Sequence, residues 1–76
     1  MNIQFLVTRN DFSLANLERE FSGLGLNYDI EYIEEHPELV STHTIRHSPN
    51  ILVNGSLAFR HQPTVNELKT YLEQIS

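Results

Sequence analysis

The apolar positions of this chain switch repeatedly between two spacings. Ile3-Gln4-Phe5-Leu6-Val7-Thr8 is rich in β-branched and aromatic residues, and its centre is apolar at consecutive positions. A strand covered on both faces reads this way. Arg9-Asn10-Asp11-Phe12-Ser13 breaks the pattern with turn and cap residues. From Leu14 the spacing is helical: Leu14, Leu17, Phe21 and Leu24 form one stripe, with Glu18, Arg19 and Glu20 toward water. Ser13 or Asp11 is the expected N-cap, and Gly23 and Gly25 supply the stop. Residues 28–33 alternate as a half-exposed edge strand does. Glu34-Glu35-His36-Pro37-Glu38 then opens a short helix, with Pro37 near its first position and acids at the positive end of its dipole. Pro49 requires that helix to finish by about Thr44.

The second half follows the same logic. Ile51-Leu52-Val53 reads as a strand, Asn54-Gly55 as a type I′ hairpin turn, and Ser56-Leu57-Ala58-Phe59-Arg60 as the returning strand. Thr64-Val65-Asn66-Glu67 is a capping box. Behind it, Val65, Leu68, Leu72 and Ile75 make a helical stripe. The order is β-α-β-α-β-β-α. Its β-α-β start implies two parallel strands joined by a right-handed crossover, and its hairpin implies an antiparallel pair. The expectation is an α/β class fold: a single domain over residues 1–76, with a four-stranded mixed sheet flanked by helices. One feature is out of place. Proline cannot donate to a sheet ladder, yet Pro49 stands at the mouth of a strand that reads as central.

Charge and composition narrow the function. The chain has 76 residues and a formal net charge of −5, which argues against general nucleic-acid binding. No run approaches the ~20 apolar residues of a membrane span. The start, Met1-Asn2-Ile3-Gln4-Phe5, lacks the charged and apolar regions of a secretory leader. A soluble cytoplasmic protein, with neither nucleic acid nor membrane as partner, is expected. The chain has no cysteine. That removes disulfides, thiolate nucleophiles and Cys-containing zinc sites.

Ser48-Pro49, the following Asn50-Ile51-Leu52-Val53-Asn54-Gly55, the short returning strand and "PTVNELKTYL" at 63–72 resemble the small thioredoxin-like and glutaredoxin-like domains. The resemblance covers nearly the whole chain. It implies a thioredoxin-like fold with a cis peptide before Pro49, which explains that residue's position at a strand mouth. It also implies that the Ser48 backbone is offered to an extended peptide or to glutathione. The family's Cys-x-x-Cys loop falls on Asn10-Asp11-Phe12-Ser13, with Asn10 in the nucleophilic place and Ser13 in the resolving one. Thiol–disulfide exchange needs a thiolate. Neither an amide nor a hydroxyl replaces it, so the redox activity of the family is not expected here.

The topology brings Arg9, Arg46, Arg60, His47 and His61 toward the 10–13 loop, where the first helix adds free N–H groups. The expectation is an anion-attracting pole, although polar loop residues fanning into solvent explain the same composition. The function expected is a non-catalytic binding module. Its groove lies between Asn10, Asp11, Phe12 and Ser13 on one side and His47, Ser48 and Pro49 on the other. A protein or peptide partner or a small anionic ligand is expected, with glutathione a candidate, and no cofactor or metal.

One alternative is a thiol-independent glutathione-binding or glutathione-transferase-like enzyme, with Ser13 or Asn10 orienting a bound thiolate. Arg60-His61-Gln62-Pro63, standing where a γ-glutamyl site would lie, speaks against it. A structural or oligomerising domain, using the edge strand 28–33 or the apolar end of a helix, is the other. His43 and His47, with His61, suggest a metal site, but Pro49 argues that the pair diverges. Glu34, Glu35 and Glu38 are better explained by the helix dipole than by catalysis. Phe12 either anchors a partner or tucks onto the first helix.

Overall fold

The computed structural model describes residues 1–75. In chain order its elements are β1 (Ile3–Val7), α1 (Leu14–Gly23), β2 (Asp29–Tyr32), a 3₁₀ turn (Ile33–Glu35), α2 (Pro37–His43), β3 (Asn50–Val53), β4 (Ser56–Phe59) and α3 (Val65–Ile75). The sheet order is β2-β1-β3-β4. β1 runs parallel to β2 and antiparallel to β3, which pairs antiparallel with β4. The element order along the chain and the four-stranded mixed sheet follow the sequence expectation. Among the described residues, no helix is long and apolar enough to cross a membrane.

β1 is central because its side chains are apolar on both faces. Phe5, Leu6 and Val7 are all fully buried. Ile3, Phe5 and Val7 join Ile51 and Val53 of β3 on one face, beneath Leu17 and Phe21 of α1 and Leu68 of α3. Leu6 and Leu52 alternate to the other face and are equally buried. Phe5 is the hinge pin of the larger core. Its ring meets Phe21 edge-on at 4.7 Å and stacks on Tyr28 at 4.5 Å. Tyr28 in turn donates its hydroxyl to Glu18 at 3.0 Å. Gln62 donates to Glu20 at 3.3 Å. Glu18 and Glu20 are therefore half-buried partners of other elements, where the helical pattern alone sends them to water.

Two other expectations need correction. The third helix buries Leu68, but Val65 and Ile75 are 39% and 42% exposed. Tyr71 packs against the core in their place. Glu34 and Glu35 belong to the 3₁₀ turn and not to a helix start. They face Arg9: Glu35 pairs with its guanidinium, and Glu34 accepts its backbone N–H at 3.1 Å. Helix α2 starts at Pro37 and stops at Thr44, as expected, with Thr44 in the left-handed conformation at φ 52°. The turn at Asn54-Gly55 has φ 52° and 82°, as a type I′ hairpin requires.

His36 caps the approach to α2 and clamps it to the edge strand. Its Nε2 lies 2.7 Å from Glu31 of β2, and its Nδ1 lies 2.9 Å from Glu38 of α2. The hydrogen bond to Glu38, helped by the charges of Glu31 and Glu38, raises the imidazole above its ordinary value of 6.5 despite partial desolvation. The same hydrogen bond lowers Glu38 below 4.5. A raised histidine stabilises the fold below its unfolded value, and that contribution disappears as pH climbs through the folded value. A lowered carboxylate contributes above its unfolded value and loses that contribution as pH falls. The clamp therefore acts between the carboxylate range and a pH somewhat above 6.5. His36→Gln is expected to flatten the pH dependence of the urea midpoint across that window. An unchanged profile would show that the clamp is not formed in solution.

Candidate binding cleft

The loop between β1 and α1 is organised by a single carboxylate. Asp11 Oδ1 accepts the Ser13 backbone N–H at 2.8 Å and the Ser13 hydroxyl at 2.5 Å. This is the local bond by which aspartate commonly shapes a turn. Its other oxygen accepts the hydroxyl of Ser48. Ser48 Oγ in turn accepts the backbone N–H of Thr8 at 3.0 Å, at the end of β1. A polar latch thus fastens residues 10–13 to the segment leading into β3. The Ser48–Pro49 peptide in that segment is cis.

Ser13 occupies the N-cap position of α1, but its side chain makes no capping bond. Its hydroxyl turns to Asp11, and Asp11 in turn holds the Ser13 N–H. The expectation of a conventional side-chain cap is corrected by that competition. Burial pushes the Asp11 carboxyl up, but hydrogen bonds from the Ser13 hydroxyl, the Ser48 hydroxyl and the Ser13 N–H outweigh it. The group sits below the ordinary 3.8. Such a carboxylate is a weak base, and among the described residues the hydroxyls of Ser13 and Ser48 bond to Asp11 and not to an imidazole. The arrangement holds the loop in place.

Asn50 supports the latch from below. It is 1% exposed, a polar residue in an otherwise apolar strand. Its amide donates to the carbonyl of His47 at 2.6 Å and to that of Leu6 at 3.2 Å. The bond to His47 fixes the bend that carries Ser48 and Pro49. Its side-chain oxygen is buried without a protein partner. In the sequence, an amide just after a proline and before buried aliphatics was the available signal of this role.

The cations predicted around this loop have varied placements. Arg9 pairs with Glu35 and lies 4.7 Å over the ring of Tyr32. Arg60 donates to the carbonyls of Thr44 and His43 at 3.0 and 3.1 Å, closing the end of α2. His61 lies 3.3 Å from Glu67 and edge-on to Phe59. Arg46 and His47 stay beside the latch. They are exposed and line a cleft of about 330 Å³ with Thr8, Ile33, Ile45 and Ser48. Asn10 is exposed, and Phe12 is 95% exposed, so its ring does not tuck onto α1. His43 ends α2 while His47 lies beyond the left-handed Thr44, so the pair does not share a helical face. Among the described residues, no group of His, Asp or Glu is arranged to hold a metal ion.

No family model and no curated protein matches the chain. Among solved structures, thioredoxin 1 from the thermophilic eubacterium Thermosipho africanus TCF52B is similar over 99% of this chain and 98% of that chain. The sequence identity is 14% and the TM-score 0.69. At that identity the likeness bears on the fold alone. The chain has the thioredoxin fold and, having no cysteine, it is not a thiol–disulfide oxidoreductase.

Proposed function

We propose that this chain is a non-catalytic recognition module that takes an extended segment of a partner protein across residues 47–49. In this reading Phe12 is the apolar anchor, and the cleft lined by Ile33 and Ile45 receives a partner side chain. The observation that carries it is the 95% exposure of Phe12 on a loop that Asp11 holds rigidly beside Ser48. A bulky ring fully in water, on a pre-organised support, is the form that interface anchors take. Arg46 and His47 at the rim favour an acidic residue in the bound segment. A small anion is less well served. Arg9, Arg60 and His61 are engaged elsewhere, and the Asp11 carboxylate already stands at the centre of the pole.

Selection of random-sequence peptides on the immobilised chain tests this directly. Enriched peptides are expected to shift the amides of residues 8–13, 33 and 45–49. Phe12→Ser should weaken them about tenfold, the effect of losing a moderate anchor. The urea midpoint should not move, because the ring makes no packing contribution. Selected peptides that leave those amides unmoved would overturn the assignment. Millimolar glutathione is expected to move none of them; saturable shifts at 9–13 and 47–49 would support the glutathione alternative instead.

A further inference from the structure

Away from the cleft, a shallow hollow of about 350 Å³ lies between β4 and α3. It is lined by Phe59, Asn66, Glu67, Thr70, Tyr71 and Gln74. The rings of Phe59 and Tyr71 are 5.4 Å apart and tilted by 59°, so they form two walls of a V and not a flat platform. Glu67 stands at the rim with its side chain 46% exposed. Its carboxylate is fixed by the backbone N–H of Thr64 at 3.0 Å. That bond, with a smaller contribution from His61, holds the group below its ordinary value, so it is ionised at neutral pH. No lysine or arginine is among the lining residues. Arg60, next to Phe59 in the chain, sends its guanidinium to the end of α2.

Aromatic faces attract cations, and attract them more where a carboxylate adds its charge. The formal net charge of −5 acts in the same direction. The imidazole of His61, 3.3 Å from Glu67 and edge-on to Phe59, competes for that carboxylate. A neutral stacking ligand such as a sugar is better matched by one flat exposed ring than by two inclined ones. We infer that this hollow is a binding site for a small alkylammonium cation, seated between Phe59 and Tyr71 with Glu67 as counter-charge. None of the residues assigned to partner recognition takes part, so the two sites stand or fall separately.

Titration of the ¹⁵N-labelled chain with choline, at constant ionic strength, tests the site against the neutral isostere 3,3-dimethyl-1-butanol. Choline is expected to shift the amides of residues 59, 66, 67, 70, 71 and 74 saturably, and to bind roughly tenfold tighter than the isostere. Tyr71→Leu keeps apolar bulk while removing one ring face, and should bring choline down to the level of the isostere. Glu67→Gln retains an acceptor for Thr64 and should weaken choline about threefold while leaving the isostere unchanged. Equal binding of the two probes, or no saturable shift at these positions, would overturn the inference. So would choline binding unaltered in both variants.

Discussion

Phe5→Ala is expected to lower the unfolding free energy by about 3–5 kcal/mol, the usual effect of removing a buried aromatic ring. The ring is fully buried, stacks on Tyr28 and meets Phe21 edge-on, so α1 and the residue leading into β2 lose contacts at once. Aromatic pairs add roughly 0.5–1.5 kcal/mol each beyond area burial, which places this site toward the upper part of the range. A chain of 76 residues has a total stability of roughly 4–11 kcal/mol. The variant should therefore lose a large share of its stability at 25 °C, and all of it if the parent lies at the low end of that range. Urea unfolding followed by circular dichroism measures it. A loss below about 1 kcal/mol would mean that the Phe5 cluster is not packed as described, since even modest core truncations exceed that.

The second large effect belongs to Asn50. Asn50→Ala is expected to remove about 1–3 kcal/mol, because the carbonyl of His47 loses its partner in a partly buried position. The local consequence matters more. Without that amide the segment carrying Ser48 is free to shift, and amide exchange at Thr8 should accelerate because its acceptor is Ser48 Oγ. Asn50→Asp separates hydrogen bonding from packing. An ionised carboxylate there faces two carbonyl oxygens, so it is more destabilising than alanine at neutral pH. The folded value of that carboxyl is raised, so its stability is greatest below the unfolded value and falls as pH rises. Urea midpoints at acid and neutral pH test this; equal midpoints would show that the position is solvated.

The fold was legible because its local signals agree with one another. The fully apolar centre of β1, the Asn54-Gly55 turn and the Thr64/Glu67 capping box each dictate one local structure. The capping box forms reciprocally, with both bonds between 3.0 and 3.1 Å. The site was less legible, for a reason its residues make plain. Topology places Arg9 and Arg60 near the 10–13 loop, but a long side chain goes to its best acceptor. Glu35 and the carbonyls at the end of α2 were such acceptors, and periodicity does not reveal them. Asp11 and Ser13 read as rival caps, while in the structure each satisfies the other. The Ser48 hydroxyl was invisible to a reading that considered only its backbone. Long-range side-chain bonds decide such sites, and a single sequence carries little trace of them.

The Asp11 latch is the feature on which the recognition surface rests, and its carboxyl titration tests it most directly. Carbon-detected NMR follows the Asp11 carboxyl while the amide spectrum follows Thr8 and Ser13. Asp11 should titrate below 3.8, with both amides moving at the same midpoint. Because a lowered carboxylate stabilises the fold above its unfolded value, that contribution should fade as pH drops through the same range. A carboxyl titrating at or above 3.8, with the Thr8 and Ser13 amides unmoved, would mean that no latch joins the two loops.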